Sequence, residues 1–171
     1  MTADQEKKQA ALEAVKYIED NMVVGLGTGS TAKHMIEAVG ALVAKGMNLT
    51  CVPSSDATEK LAKELGIKIV ALDEIEKIDV TIDGADEFDA NFQLIKGGGG
   101  ALLREKILAW NTKFNIIIAD SSKDVEKLGA FKLPLEVIPF ATKQIITFLE
   151  EEGLKPCLLY TSPSPRDRQK S

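Results

Sequence analysis

Three short segments of the chain put acid, base and anion-binding groups beside flexible backbone. They are Gly27-Thr28-Gly29-Ser30-Thr31, Asp83-Gly84-Ala85-Asp86-Glu87, and Lys96-Gly97-Gly98-Gly99-Gly100 with Glu105 five residues further on. A glycine turn between a strand and a helix lets backbone approach an anion, while the helix start offers unpaired N–H donors and a positive dipole end. Phosphate is the natural guest. A tight turn with Ser30 or Thr31 capping the helix stands level with that reading. As a dinucleotide fingerprint the turn is weak, because Ser30 takes the place of the third glycine.

Asp83, Asp86 and Glu87 crowd three carboxylates into five residues after an apolar run, and their repulsion costs stability unless a ligand, a lysine or solvent compensates. Function is favoured over a solvated acidic turn. The spacing of Asp83, Asp86 and Asp89 does not fit a calcium loop, and no histidine stands nearby to complete a transition-metal site, so no metal is assigned. Four consecutive glycines behind Lys96 point to a place that needs bare backbone. They lack the GK[ST] ending of a nucleotide-binding loop. In the helix that follows, Leu103, Ile107 and Trp110 read as the buried stripe, which turns Glu105 away from the core near the helix N-terminus, where the dipole favours an ionised carboxylate. From the residues alone, an ordinary surface glutamate paired with lysines is the stronger reading of Glu105. Lys123, closing the Asp120-Ser121-Ser122 loop, is placed to make a second cationic contact to phosphate. His34 is the only histidine, falls inside a helix, and is not assigned.

The elements that must carry these groups alternate. Gln5 to Ile18 reads as an amphipathic helix with Leu12, Val15 and Ile18 inward, followed by a strand near Val23 and a helix from Ala32 to Lys45. A strand from Leu49 to Val52, a helix from Ala57 to Leu65 and strands at Ile67 to Ala71 and Ile78 to Ile82 come next. Leu94-Ile95, a helix from Ala101 to Asn111 and the apolar run Phe114 to Ala119 follow. Such alternation predicts an α/β fold, an open mostly parallel sheet with helices on both faces. In that fold the loops beginning at Gly27, Pro53, Asp83 and Asp120 face one crevice, with the glycine run as a fifth wall. Residues 1–130 read as this Rossmann-like domain. Residues 131–156 read as the start of a small α+β unit, with an edge strand from Leu133 to Pro139 and a helix from Ala141 to Glu152. Residues 157–171 read as a disordered tail whose abrupt loss of pattern favours a non-native origin.

With 171 residues, 44% of them hydrophobic, the chain can fill a core, and its formal charge of −5 gives no long-range field for nucleic acid or anionic lipid. Neither is expected as a partner. Cys51 and Cys157 form no framework, and the sequence has neither a signal-like segment nor an apolar run near the ~20 residues of a membrane span. A cytoplasmic location is expected.

The three motifs, taken in order and with Arg104-Glu105-Lys106, resemble ribose-5-phosphate isomerase type A. The similarity extends through Ser54-Ser55-Asp56, Ala119 to Lys123 and Leu133 to Pro139, and so covers about Gln5 to Pro156. The resemblance implies interconversion of D-ribose 5-phosphate and D-ribulose 5-phosphate in the pentose phosphate pathway, without metal or other cofactor. It implies Glu105 as the base that moves a proton between C1 and C2 through an enediolate, and Asp83 and Asp86 for hydroxyl protons and ring opening. Lys96 and the backbone of Gly97, Gly98 and Gly99 would meet the oxyanion, and Thr28, Gly29, Ser30 and Thr31 with Lys123 would hold the substrate and its phosphate. Gly84 and Ala85 complete the set. Members of the family continue well past Pro156, so a C-terminally truncated chain is expected, with a homo-oligomer as the full-length form. The competing readings are a sugar-phosphate-sensing module and an acyl or CoA transferase with Glu105 as nucleophile.

Overall fold

A computed structural model describes residues 1–130, 133 and 135–158. The chain falls into two compact units, Met1–Ala130 and Phe131–Ser171. In the first unit, four parallel strands form one sheet in the order β2-β1-β3-β6: β1 is Val23–Leu26, β2 Thr50–Pro53, β3 Ile78–Gly84 and β6 Thr112–Ile118. Between β3 and β6, β4 (Glu87–Phe88) and β5 (Leu94–Ile95) make a short antiparallel ribbon. The chain leaves β1 for β2 on one side, then returns to place β3 on the other. The strand order therefore reverses at the β1–β3 boundary, where open parallel sheets bind ligands at the strand C-termini.

Helices α1 (Ala3–Ala14), α2 (Ser30–Ala44), α3 (Asp56–Glu64) and α4 (Leu102–Trp110) supply the crossovers and covers. Strand alternation sends Val24, Leu26, Cys51, Val80 and Ile82 into one core with Ala11, Ala14, Met35, Ile36 and Val39 of α1 and α2. Val52 and Ile78 enter a smaller cluster with Leu108 of α4, against which Val23 packs. Helices thus cover both faces of a mostly parallel sheet.

Outside the site, the described structure departs from the sequence reading at four places. Leu12 is exposed, because α1 turns Ala11 and Ala14 inward and lies close against α2. Ile67 to Ala71 does not form a strand. It makes one parallel bridge, Ile69 to Cys51, before a 3₁₀ turn at Leu72–Glu74 carries it off the sheet edge. The apolar run at Phe114 becomes a strand that, among the described residues, pairs with β3 alone and leaves Phe114 and Ile117 exposed. In the second unit a 3₁₀ turn at Pro139–Ala141 leads into α5 (Thr142–Glu151), but the described residues of the expected Leu133 to Pro139 strand form none. Among the described residues, no neighbouring strand takes up their backbone groups. Pro134 and most of the expected tail, residues 159–171, lie outside the described residues.

Candidate active site at the switch point

Asp83 is the next-to-last residue of β3, and its buried carboxylate organises the crevice. Its Oδ1 accepts from the backbone N–H of Thr28 at 3.1 Å and of Gly84 at 2.7 Å, so the acidic turn and the glycine turn share one atom across the β1–β3 boundary. Gly27 permits this approach, because a Cβ at that position would lie 2.1 Å from Asp83 Oδ1. The other oxygen, Oδ2, accepts from Lys96 Nζ at 3.1 Å. Lys96 also donates to the Gly84 carbonyl and stands 3.4 Å from Glu105 Oε2.

Glu105 lies in the first turn of α4 and is buried, with its Oε2 lacking any hydrogen-bond partner despite the nearby ammonium. This reverses the expected orientation of the helix. Leu103, Ile107 and Trp110 are exposed, Trp110 to 86%, while Glu105 and Leu108, three residues apart, form the inward face. A helix of nine residues buries one narrow stripe, and here the stripe pairs one apolar anchor with one carboxylate. Burial pushes the Glu105 carboxyl above its ordinary value, and the neighbouring Asp83 charge adds to the rise; Lys96 opposes both without cancelling them. The dipole at the start of α4 does not govern this group.

Asp86 turns to the glycine run. Its Oδ2 accepts from the Gly98 N–H at 2.7 Å, and a Cβ on Gly98 would meet Asp86 Oδ1 at 2.8 Å. That N–H is therefore already used, and the Gly100 N–H goes to the Gly97 carbonyl. Gly97 has a φ of +91°, and Gly99 faces open space. At the other turn Gly29, with a φ of +118°, caps α2 without any side-chain hydrogen bond, so neither Ser30 nor Thr31 acts as the cap. Ser30 is exposed and Thr31 buried in the first turn of α2. Ala85 and Gly84 are half-buried between the two acids.

Lys123 is not in the Asp83 cluster. It ends the 3₁₀ turn Ser121–Lys123, where its charge is felt by Asp120, a buried carboxylate at the C-end of β6. Burial alone would raise Asp120, but hydrogen bonds from Ser122 and the charges of Lys7 and Lys123 hold it below the usual range. Lys7 reaches Asp120 at 3.9 Å from α1, and Glu6 accepts from the Ser121 N–H at 2.9 Å. Nothing in the local pattern singles out Lys7, one of several lysines in a charged helix. Thr58 carries no motif signal either, and Arg104 stands in the Arg104-Glu105-Lys106 motif without an assigned role. Arg104 pairs with Asp56 at 2.6 Å, and Thr58 donates to the Gly27 carbonyl at 2.9 Å. His34 sits on α2 with its Nε2 3.0 Å from Asp4 and takes no part in the cluster.

The fold and the cluster define an open parallel α/β protein with a carboxylate–lysine–hydroxyl centre at its topological switch point, a class suited to acid–base chemistry on small anions. A family model described as ribose 5-phosphate isomerase A (phosphoriboisomerase A) matches residues 50–166. Ribose-5-phosphate isomerase A of Desulfatibacillum aliphaticivorans is 56% identical over 152 residues, covering 87% of this chain and 66% of that protein. The crystal structure of the Neisseria gonorrhoeae ribose 5-phosphate isomerase A superposes with a TM-score of 0.87 at 38% identity, over 95% of this chain and 72% of that one. A D-ribose-5-phosphate isomerase in complex with phospho-erythronic acid is similar at a TM-score of 0.83 and 44% identity, over 88% of this chain and 67% of that one. The chain belongs to the ribose-5-phosphate isomerase A family. It spans about two thirds of the length of the relatives it matches.

Proposed function

We propose that the cluster interconverts D-ribose 5-phosphate and D-ribulose 5-phosphate, with Glu105 as the base. The observation that carries this is the buried Glu105 Oε2, without a hydrogen-bond partner and 3.4 Å from Lys96. That oxygen has an ion-pair partner in Lys96 but no well-aligned hydrogen bond, so it keeps lone-pair capacity to accept a proton. Its raised pKa brings it closer to neutrality, where a base works best.

The chemistry follows from the neighbours. Glu105 takes the proton from C2 of the open-chain aldose; the electron pair forms the C1=C2 bond of an enediolate and the charge collects on O1. Lys96 has three N–H donors, two of them engaged by Asp83 and Gly84, which leaves one for that oxygen. Glu105 then returns the proton to C1. O2 becomes the ketone oxygen as its hydroxyl proton leaves, and O1 regains a proton, with Asp83 and Asp86 as the carriers; the same acids open the sugar ring. Ring opening breaks the C1–O4 bond as O1 loses a proton and O4 gains one, and every later step is a proton transfer, all of it chemistry that side-chain acids and bases supply.

The phosphate belongs at the start of α2, where Gly29, Ser30 and Thr31 lead into the helix and no side chain caps it. Lys123 and Lys7, near Asp120, form the cationic side of that subsite. Holding the phosphate away from C1 fixes the reacting carbons beside the base. The phospho-erythronic acid complex of the related isomerase is consistent with a site for a small phosphorylated sugar acid. A cytoplasmic location and a homo-oligomeric full-length form complete the proposal. Among the described residues, no helix is long and apolar enough to cross a membrane.

The test is direct conversion of ribose 5-phosphate to ribulose 5-phosphate, with Glu105→Gln beside the parent. The variant is expected to lose about 10³-fold in kcat and to keep ligand binding. Near-normal turnover would remove Glu105 from its role.

A further inference from the structure

The turn after β1 is tied to α3 by an unbroken run of hydroxyls. Thr58, buried in the first turn of α3, donates from Oγ1 to the Gly27 carbonyl at 2.9 Å. Ser55 Oγ donates to Thr58 Oγ1 at 3.1 Å, and Thr28 Oγ1 donates to Ser55 Oγ at 2.9 Å. Ser54 is fully buried, with its Oγ 2.6 Å from Thr28 Oγ1. Each hydroxyl owns one proton, and the carbonyl at the end can only accept. The run therefore has a single direction: Thr58 gives its proton to Gly27, Ser55 to Thr58, and Thr28 to Ser55. Ser54 is left as the donor to Thr28. The Thr28 and Thr58 oxygens, 3.3 Å apart, then touch without sharing a proton.

Two consequences follow for the crevice. The Thr28 side chain has no proton to offer a ligand, and a phosphate dianion offers acceptors only, so Thr28 does not grip phosphate through its hydroxyl. Its backbone is instead held from behind, at Gly27 by Thr58 and at its own side chain by Ser54 and Ser55. The Thr28 N–H that binds Asp83 and the entry to α2 are thereby set before any ligand arrives. The geometry assigns Ser54, Ser55 and Thr58 as positioning residues that preorganise the anion cradle at the start of α2. This rests on the isomerase reading for its kinetic readout only.

The experiment compares Thr58→Val, which deletes the anchor, with Thr58→Ser, which keeps it, in the full chain. For Thr58→Val the KM for ribose 5-phosphate is expected to rise about tenfold, and the calorimetric Kd of inorganic phosphate to weaken by the same factor, while kcat changes less than about threefold. Thr58→Ser should stay within about threefold of the parent on every measure. Parent-like KM and phosphate affinity in Thr58→Val, or equal damage by both substitutions, overturns the assignment. If Thr58→Val does not melt cooperatively, Ser55→Gly carries the test. It breaks the run one hydroxyl earlier, and glycine at that N-cap costs little, so the same weakening is required of it. A parent that binds phosphate but does not isomerise sinks the proposed function, and the phosphate affinities alone then decide the positioning role.

Discussion

Asp83 and Glu105 face the same ammonium: Lys96 Nζ is 3.1 Å from Asp83 Oδ2 and 3.4 Å from Glu105 Oε2. Both acids are buried, and one arrives near a strand end while the other arrives in the first turn of a helix. A single cation between two carboxylates lowers the cost of bringing them together without satisfying both. Asp83 has three hydrogen bonds and Glu105 Oε2 only the ion pair with Lys96, which gives two chemically similar groups different tasks.

Removing that cation should move the pH dependence. Glu105 must be ionised to act as a base, so activity is lost as pH falls through its pKa in the folded protein. Lys96 holds that pKa down against burial and Asp83. In Lys96→Met the acid limb of the kcat/KM profile is therefore expected to shift to higher pH, with a loss of about 10²-fold or more at the plateau. An acid limb at the parent's position would mean that Lys96 does not act on Glu105.

Burial of Glu105 should also cost stability. Its pKa is raised from an unfolded value near 4.5, so the folded protein binds this proton more tightly than the unfolded chain does. The penalty is absent below about pH 4.5, grows as pH rises towards the raised pKa, and is complete above it. Glu105→Gln should melt higher than the parent at neutral pH, with each kcal/mol worth about 2–4 °C, and the difference should vanish in acid. Thermal melts across pH measure it.

Gly27→Ala tests the close approach of β1 to β3. The added methyl would stand 2.1 Å from Asp83 Oδ1 and 2.6 Å from Asp83 Cα, and the latter is backbone that cannot step aside. A loss of about 1–3 kcal/mol in chemical denaturation is expected, with activity falling to background. Gly99→Ala, which meets nothing within 4 Å, is the matched control for stability.

The two cysteines should differ in reactivity. Burial pushes the Cys51 thiol up to about 12, whereas Cys157 is exposed. A thiol-disulfide reagent at neutral pH should label one cysteine in the native chain and both in denaturant, since the thiolate is the reactive form. Rapid native labelling of Cys51 would contradict its packing in the sheet.

The alternation of strands and helices, the turns at Gly27 and Asp83 and the glycine run were legible along the chain, because hydrophobic period and glycine placement are local properties. So was the start of α4. Its rotation was not. A helical wheel shows that Leu103, Ile107 and Trp110 share one side and that Glu105 and Leu108 share another, and apolar content favours burying the first. Val52 and Ile78 of the sheet pack with Leu108, and Lys96, just after β5, meets Glu105, so those contacts decided the other way. The pairing of β6 with β3 alone, among the described residues, and the fading of Ile67 to Ala71 into one bridge have the same origin, since the number of neighbours a strand receives is set by topology.

By itself, then, the order of residues determined which groups stand at strand ends and helix starts, since φ/ψ preference and periodicity act over a few positions. Only the tertiary structure decided that Thr28 meets Asp83 across 55 residues, that Lys96 stands between two acids, and that Thr58 holds Gly27 from a different helix. Those contacts arise because the strand order reverses beside β1, and a reversal is a property of the assembled sheet that no local stretch of sequence contains.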